Sequence, residues 1–232
     1  MNSMMREMMQ ELSQPSPPWL TKYQETLNQL RRTGLNNKSF EALESAKQKM
    51  EETPVIGRGS VFHFRRDFCA RFGWGIPSAV GWRMIAETVS GRKVLELGAG
   101  SGFLAACIMA NVTNKPVSYV ATDAMTGQHT FTSSYYRVQK RTHKQTLEEH
   151  PDADVLILNW PTYCDPWAGE ALKEFKGDTV VYIGENCGGC TADDDFFEEL
   201  EEKWGLQQSE RCIQWQGIHD KVCVYKRLEM DE

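Results

Sequence analysis

The sequence predicts an α/β fold with a mostly parallel sheet, and three observations support that prediction. A short apolar run at 93–95 leads into a glycine-rich turn and then into an apolar helical segment at 104–109. Further apolar runs alternate with helical segments as far as residue 204. Two closing runs, 208–215 and 221–227, follow each other with only a short turn between them. Strands separated by helices run parallel, whereas strands joined by a tight turn run antiparallel.

Residues 1–75 are predicted to form an extension ahead of the α/β domain at 76–232. Residues 1–18 are rich in methionine and end in a proline cluster, which predicts a mobile tail, with a partner-binding helix as the alternative. Helical periodicity within 19–75 predicts a helical hairpin. We interpret this hairpin either as a lid over the domain or as plain structural packing or a subunit contact.

Composition limits the classes of function. The formal net charge of −6 provides no broad basic surface, so strong binding of bare nucleic acid is not expected. The seven cysteines have no disulfide-framework spacing, and neither a cleavable signal nor a long apolar run is visible. We therefore expect a cytoplasmic protein with no membrane segment. Cys187-x-x-Cys190 is a lone pair, so a redox or zinc site is disfavoured and no metal is predicted.

The turn from Glu96 to Gly102 is predicted to bind a ligand. Glycines at 98, 100 and 102 allow positive φ and close approach of a bound molecule, while the following helix offers unpaired N–H groups. Asp123 ends the next apolar run, 118–122. The pattern E-x-G-x-G-x-G differs from the G-x-G-x-x-G spacing of a dinucleotide fingerprint.

This turn, together with Asp123, resembles the first motif of the class I S-adenosylmethionine-dependent methyltransferases. The resemblance implies a Rossmann-like sheet of seven strands, mostly parallel, with an antiparallel last strand. It implies S-adenosylmethionine as the cofactor. The following residues would hold the methionine part of that cofactor: Glu96, Gly98, Ala99, Gly100 and Gly102. Asp123 would bind the ribose hydroxyls.

Two further regions are compared with the same family. Trp74 and Pro77 precede a helix predicted from Ser78, at positions that touch the methionine end of the cofactor in many members. A third strand is expected near 136–140, followed by a short helical turn at 147–150. Thr142 and His143 lie where the family often has an acid or amide that reads adenine, and they do not match that pattern.

The fourth strand, predicted at 154–158, delivers Asn159-Trp160-Pro161-Thr162-Tyr163 to its carboxyl end. This segment resembles a degraded N/D-P-P-Y/F motif of methyltransferases that modify planar nitrogens. Either Asn159 is the polar residue that grips the acceptor, or Trp160 stands in that place and Tyr163 keeps the stacking role. Asn159 and Trp160 are also predicted to contact the cofactor.

Beyond this motif, the sequence predicts a helix at 166–175, a strand at 179–183 and a helix at 193–204. Thr191-x-x-Asp194 has the spacing of a capping box for the last helix. The acidic run 193–195 is interpreted as helix capping rather than as a metal site, because negative charge stabilises the first turn of a helix.

Sheet topology adds candidate catalytic residues. The carboxyl ends of parallel strands share one edge, which is where ligands bind in open α/β sheets. Glu185 follows the fifth strand, and a parallel sixth strand would bring His219 and Asp220 to the same edge. Glu185 and His219 are the predicted bases, with Asp220 orienting the histidine.

These observations predict a methyltransferase that acts on a small molecule, a nucleoside or a protein side chain. The alternative is a cofactor-binding, catalytically silent subunit that supports an active partner. The degraded fourth motif keeps that alternative open, and the oligomeric state is not predicted.

Overall fold

The computed structural model describes residues 69–229 except 71, 126–130 and 216, together with Glu25, Glu41 and Ser45, which are helical and exposed. The predicted tail and most of the predicted hairpin therefore lie outside the described residues. None of the helices in the described ranges is long and apolar enough to cross a membrane.

From residue 79 onwards, helices and strands alternate along the chain. In order they are α1 (Ala79–Val89), β1 (Lys93–Leu97), α2 (Phe103–Asn111), β2 (Ser118–Asp123), β3 (Val138–Lys140), α3 (His143–Glu149), β4 (Val155–Asn159), α4 (Trp167–Glu174), β5 (Thr179–Gly184), α5 (Asp194–Lys203), β6 (Trp204–Arg211) and β7 (Lys221–Arg227).

The strands form one seven-stranded sheet with the order β3-β2-β1-β4-β5-β7-β6. The first five strands pair in parallel. β7 is antiparallel to both β5 and β6, so β6 points the same way as β5. This topology confirms the predicted Rossmann-like architecture with its antiparallel last strand.

Helices cover both faces of the sheet, and successive side chains of a strand alternate between two apolar layers. Ile157 of β4 and Val181 of β5 pack into the layer that contains α1 and α2. Leu158 and Val180 pack into the opposite layer with α4 and α5. The central strands are therefore buried on both sides, which explains their nearly continuous apolar sequences.

Two predicted elements begin at other residues than expected. α3 starts at His143 instead of 147, because Thr142 and Gln145 form a capping box there. β6 covers Trp204–Arg211 instead of 208–215. Residues after Arg211 cannot continue the strand because they pair elsewhere: Cys212 bridges Pro77, and the Ile213 amide donates to the carbonyl of Ile76.

The predicted capping box of α5 is wrong, although the capping role of its acidic run is confirmed. Asp193 is the N-cap, and its carboxylate accepts from the Phe196 amide at 3.1 Å. Thr191 is instead buried, with its hydroxyl 2.6 Å from the Tyr182 hydroxyl and 3.0 Å from the Glu185 amide. The threonine is thus part of a buried network that holds the loop after β5.

The assignment of this cap can be tested by stability. Asp193→Ala should lower the free energy of unfolding by about 1 kcal/mol, because the Phe196 amide loses its acceptor. Urea denaturation would measure the change. Asp195→Ala is the matched control, since it removes an exposed charge from the same turn and should cost less than about 0.5 kcal/mol. Equal losses in the two variants would contradict a specific cap.

Candidate functional site

A cavity of about 600 Å³ lies at the carboxyl edge of β1, β2, β3 and β4. This volume falls within the range of about 300–1,000 Å³ that is usual for small-molecule sites. The walls come from the segments that follow these strands, together with the segment ahead of α1. The lining includes residues 72–74, 96–101, 122–125, 141–143, 159–160 and 165.

Most of the predicted cofactor residues line this cavity. Those that do are Trp74, Glu96, Gly98, Ala99, Gly100, Asp123, Asn159 and Trp160. Pro77 and Gly102 do not belong to the lining. Pro77 bridges Cys212, and Gly102 is the N-cap of α2, where a Cβ atom would come within 2.9 Å of Tyr136 and Val138. Cofactor contacts stay predictions for all of these residues, including those that line the cavity.

The glycine turn has the backbone conformation that its sequence predicts. Gly98, Gly100 and Gly102 have φ values of +70°, +54° and +72°. Such values are costly for residues with a Cβ atom. At Gly100, a Cβ atom would also lie 2.6 Å from the ring of Phe131, which lines the cavity. Gly100 therefore satisfies both a backbone and a packing constraint.

Asp123 is fixed at the cavity wall by backbone amides. Its carboxylate accepts from the Gly100 amide at 3.0 Å and from the Met125 amide at 2.7 Å. The first bond ties the end of β2 to the glycine turn after β1. The carboxylate is thus oriented by the fold and can accept hydroxyl donors from a ligand through its remaining lone pairs.

Glu96 is a buried carboxyl group that borders the same cavity. It is 1% exposed, and its Oε2 accepts from the Tyr119 hydroxyl at 2.8 Å. Burial raises the pKa of Glu96 to about 8, the hydrogen bond from Tyr119 opposes the rise, and the Asp123 charge adds to it. Tyr119 was not predicted as a site residue because nothing in the local sequence pairs it with Glu96.

Asn159 and Trp160 border the cavity from the end of β4. The Asn159 Nδ2 donates to the Gly75 carbonyl at 3.1 Å, while its buried Oδ1 has no hydrogen-bond partner among the described residues. Trp160 has a φ of +56°, and its amide donates to the Ile183 carbonyl at 2.7 Å. Its ring stacks on that of Trp74, with centroids 6.2 Å apart.

The segment after β3 forms the opposite wall with residues that the family pattern did not identify. Arg141, Thr142 and His143 line the cavity, as does Trp167 at the start of α4. The His143 Nε2 lies 3.0 Å from a Glu170 carboxylate oxygen, and the His143 ring lies 6.3 Å from that of Trp167. The sequence could indicate these residues only by their position after the third strand, because their residue types do not match the family pattern.

The other predicted catalytic residues lie on the expected edge but outside the cavity lining. Tyr163 is 60% exposed. The His219 amide donates to Glu185 Oε1 at 2.8 Å, which places the turn between β6 and β7 beside the end of β5, as the topology predicted. The Asp220 side chain is buried next to the Cys212 thiol. Catalytic roles for these four residues stay predictions.

Glu185 connects two loops at the carboxyl edge. Besides the His219 amide, its carboxylate accepts from the Cys190 amide at 2.9 Å. Burial opposes ionisation, but the bonds from Cys190 and His219 outweigh it and lower the pKa of Glu185 below its usual value. Cys187 and Cys190 themselves are exposed. Within the described ranges, no group of three or more His, Cys, Asp or Glu side chains is arranged to hold a metal ion.

Comparisons with known proteins find similarity at the level of structure. No family model and no curated protein matches the sequence. A protein described as a SAM-dependent methyltransferase from Streptococcus mutans matches 63% of this chain over 47% of its own length, with 11% identity and a TM-score of 0.44. The TehB-like SAM-dependent methyltransferase from Corynebacterium glutamicum matches 64% of this chain over 87% of its own, with 17% identity and a TM-score of 0.42. The N-methyltransferase NodS from Bradyrhizobium japonicum matches 75% over 100%, with 10% identity and a TM-score of 0.44.

The connection made by Glu185 predicts a pH-dependent contribution to stability. Glu185→Gln should lower the free energy of unfolding by about 1.5 kcal/mol at neutral pH, because two charge-assisted bonds are weakened. Since the pKa of Glu185 is lowered by folding, this contribution is complete above the unfolded-state value of about 4.3 and is lost as the pH falls through the folded-state value.

Chemical denaturation between neutral and acidic pH would measure this difference, with the exposed Glu198→Gln as the control. A Glu185→Gln penalty that stays constant down to the lowest pH would contradict a role for the ionised carboxylate.

Proposed function

We propose that this chain is an S-adenosylmethionine-dependent methyltransferase. The observation that carries the proposal is the convergence of three features on one cavity. These are the positive-φ glycine turn, the amide-held carboxylate of Asp123 and the buried carboxyl group of Glu96. A glycine turn permits close approach of a ligand, Asp123 offers acceptors for a diol, and Glu96 offers a counter-ion for a cation. The cofactor carries the matching groups, a diol on its ribose part and a cation on its amino-acid part.

The arrangement suits a reaction in which positioning provides most of the catalysis. S-adenosylmethionine supplies a methyl group already activated on a sulfonium, so the protein has to align the acceptor for in-line displacement. Such alignment contributes at most about 7–11 kcal/mol to lowering the barrier. We assign Asn159, Trp74 and Trp160 to alignment, because Asn159 and Trp160 border the cavity at the end of β4 and Trp74 stacks on Trp160.

For the acceptor, we propose a planar nitrogen that carries a hydrogen atom. The Asn159 side chain borders the cavity and donates to the Gly75 carbonyl, and its Oδ1 has no hydrogen-bond partner among the described residues, so we assign this oxygen as the acceptor for the N–H group. The Trp74 and Trp160 rings provide flat apolar surfaces next to it. This geometry supports the alignment in which Asn159 is the polar residue of the degraded fourth motif.

Of the predicted bases, His219 is the one that we retain for an acceptor that must lose its proton early. The other predicted base, the Glu185 carboxylate, already accepts from two amides. Asp220, which was predicted to orient His219, is buried beside Cys212. His219 is exposed on the same edge, and histidine is the side chain that most often serves as a general base.

The proposed cofactor can be tested by calorimetry. S-adenosylhomocysteine should bind and nicotinamide dinucleotides should not. Gly100→Ala should weaken binding because a Cβ atom strains the backbone at φ +54° and displaces the Phe131 ring that lines the cavity, and Asp123→Ala should weaken it by removing charge-assisted bonds. Gly188→Ala is the matched control, since Gly188 also has positive φ but its Cβ atom would meet nothing within 4 Å. Unchanged affinity in both site variants would refute the proposed cofactor site.

The proposed acceptor site can be tested by turnover over a panel of adenine, cytosine and amide acceptors, measured as S-adenosylhomocysteine formation. Asn159→Ala and Trp160→Ala should reduce turnover at least about tenfold, and by a larger factor than they weaken cofactor binding, because each removes an acceptor contact. Tyr163→Ala should have a smaller effect, since Tyr163 is largely exposed.

A larger loss in Tyr163→Ala than in Trp160→Ala would instead support the second alignment of the motif. Intact cofactor binding with no turnover on any acceptor would favour the catalytically silent subunit.

A further inference from the structure

Glu96 is a carboxyl group enclosed by protein on all sides except the cavity. It is the penultimate residue of β1, between Ala121 of β2 and Ile157 of β4 in the sheet register. Its exposed fraction is 1%, yet it belongs to the cavity lining. Any small molecule that occupies this end of the cavity therefore meets the carboxyl group directly.

Among the described residues, the groups that act on Glu96 do not include a cation. Tyr119 of β2 donates its hydroxyl at 2.8 Å, and Asp123 at the end of the same strand adds a negative charge nearby. Tyr136 and Cys107 act in turn on Tyr119, whose own pKa is raised well above its usual value by burial, so it stays a neutral donor. Within the described part of the chain, the salt bridges do not involve Glu96.

This environment decides the protonation state of Glu96 before a ligand binds. A buried carboxylate with one neutral donor and a second carboxylate nearby is poorly stabilised, so the group binds a proton instead. The pKa of about 8 for Glu96 means that the neutral acid predominates at pH 7. The hydrogen bond from Tyr119 stabilises the ionised form and so opposes a further rise in the pKa of Glu96.

A cation entering the cavity would change that balance. The ammonium group of an amino-acid ligand would supply the missing counter-charge, and the two ions would pair where water is excluded. The function proposed above already pairs Glu96 with the ammonium group of the cofactor. Resting on that function, we propose that Tyr119 is the residue that positions Glu96 and that Glu96 releases a proton when the cofactor binds.

The step is a proton transfer and an ion pairing. The neutral carboxyl group of Glu96 loses its proton to solvent buffer, and the carboxylate that forms pairs with the ammonium group, which keeps its own three hydrogens. The Tyr119 hydroxyl donates to Glu96 Oε2 both before and after binding. No covalent bond other than the O–H bond of Glu96 is broken.

Calorimetry with S-adenosylhomocysteine in buffers of different ionisation enthalpy would count the released protons. At pH 7, binding should release nearly one proton per site. Affinity should increase by about tenfold per pH unit below about pH 7 and level off above about pH 8, because only the ionised carboxylate pairs with the ligand. Methylthioadenosine, which lacks the ammonium group, should bind without proton release and without this pH dependence.

Two variants separate charge from structure. Glu96→Gln keeps the shape and the bond from Tyr119 but should abolish both the proton release and the pH dependence. Tyr119→Phe should move the levelling-off to higher pH, because the ionised form of Glu96 loses its donor, whereas a purely structural role would lower affinity equally at every pH. Tyr136→Phe, whose ring packs on that of Tyr119 at 6.0 Å, is the matched control and should leave the pH dependence unchanged.

Binding of S-adenosylhomocysteine without proton release and with constant affinity between about pH 6 and about pH 8 would overturn this inference while leaving the proposed cofactor intact. An unshifted pH profile in Tyr119→Phe would overturn the role of Tyr119. Failure of the wild-type protein to bind S-adenosylhomocysteine at any pH would refute the proposed function and this inference together.

Discussion

The site depends on the parallel pairing of β1 with β2 on one side and with β4 on the other. In this register, Leu97 lies opposite Thr122 and Leu158 at the same time. The residues that end the three strands therefore emerge at one level of the sheet and surround one space. A shift of one residue in either pairing would turn every side chain of a strand to the other face and separate Glu96 from the cavity.

The two carboxyl groups of the cavity differ because their donors differ. Asp123 accepts from two backbone amides, which the glycine turn and the end of β2 present in a fixed geometry. Glu96 is more deeply buried and has one hydroxyl donor, so its charged form depends on what enters the cavity. Asp123 can therefore accept hydrogen bonds from a ligand, whereas the charge of Glu96 depends on whether a cation binds beside it.

The loops that follow β4 and β5 contact each other beside the cavity, although they are distant in sequence. The Pro161 carbonyl accepts from the Ala192 amide, and both Trp160 and Ala192 have positive φ. Such backbone strain is tolerated only where the surrounding structure fixes it, and it is common next to functional sites. The carboxylate of Glu185 accepts from the Cys190 amide and from the His219 amide. It therefore connects the loop after β5 to the β6–β7 turn at the carboxyl edge of the sheet.

The sequence alone determined the features that depend on neighbours along the chain. Apolar runs predicted the central strands, and the spacing of three glycines predicted a left-handed turn, because periodicity and φ preference are local properties. The tertiary structure alone decided which polar groups meet. Tyr119 of β2 reaches Glu96 on the neighbouring strand β1, and Thr191 joins a buried network instead of capping a helix. Strand β6 ends where residues 212–213 pair with the segment before α1. These contacts join residues far apart in the chain, and no local pattern encodes them.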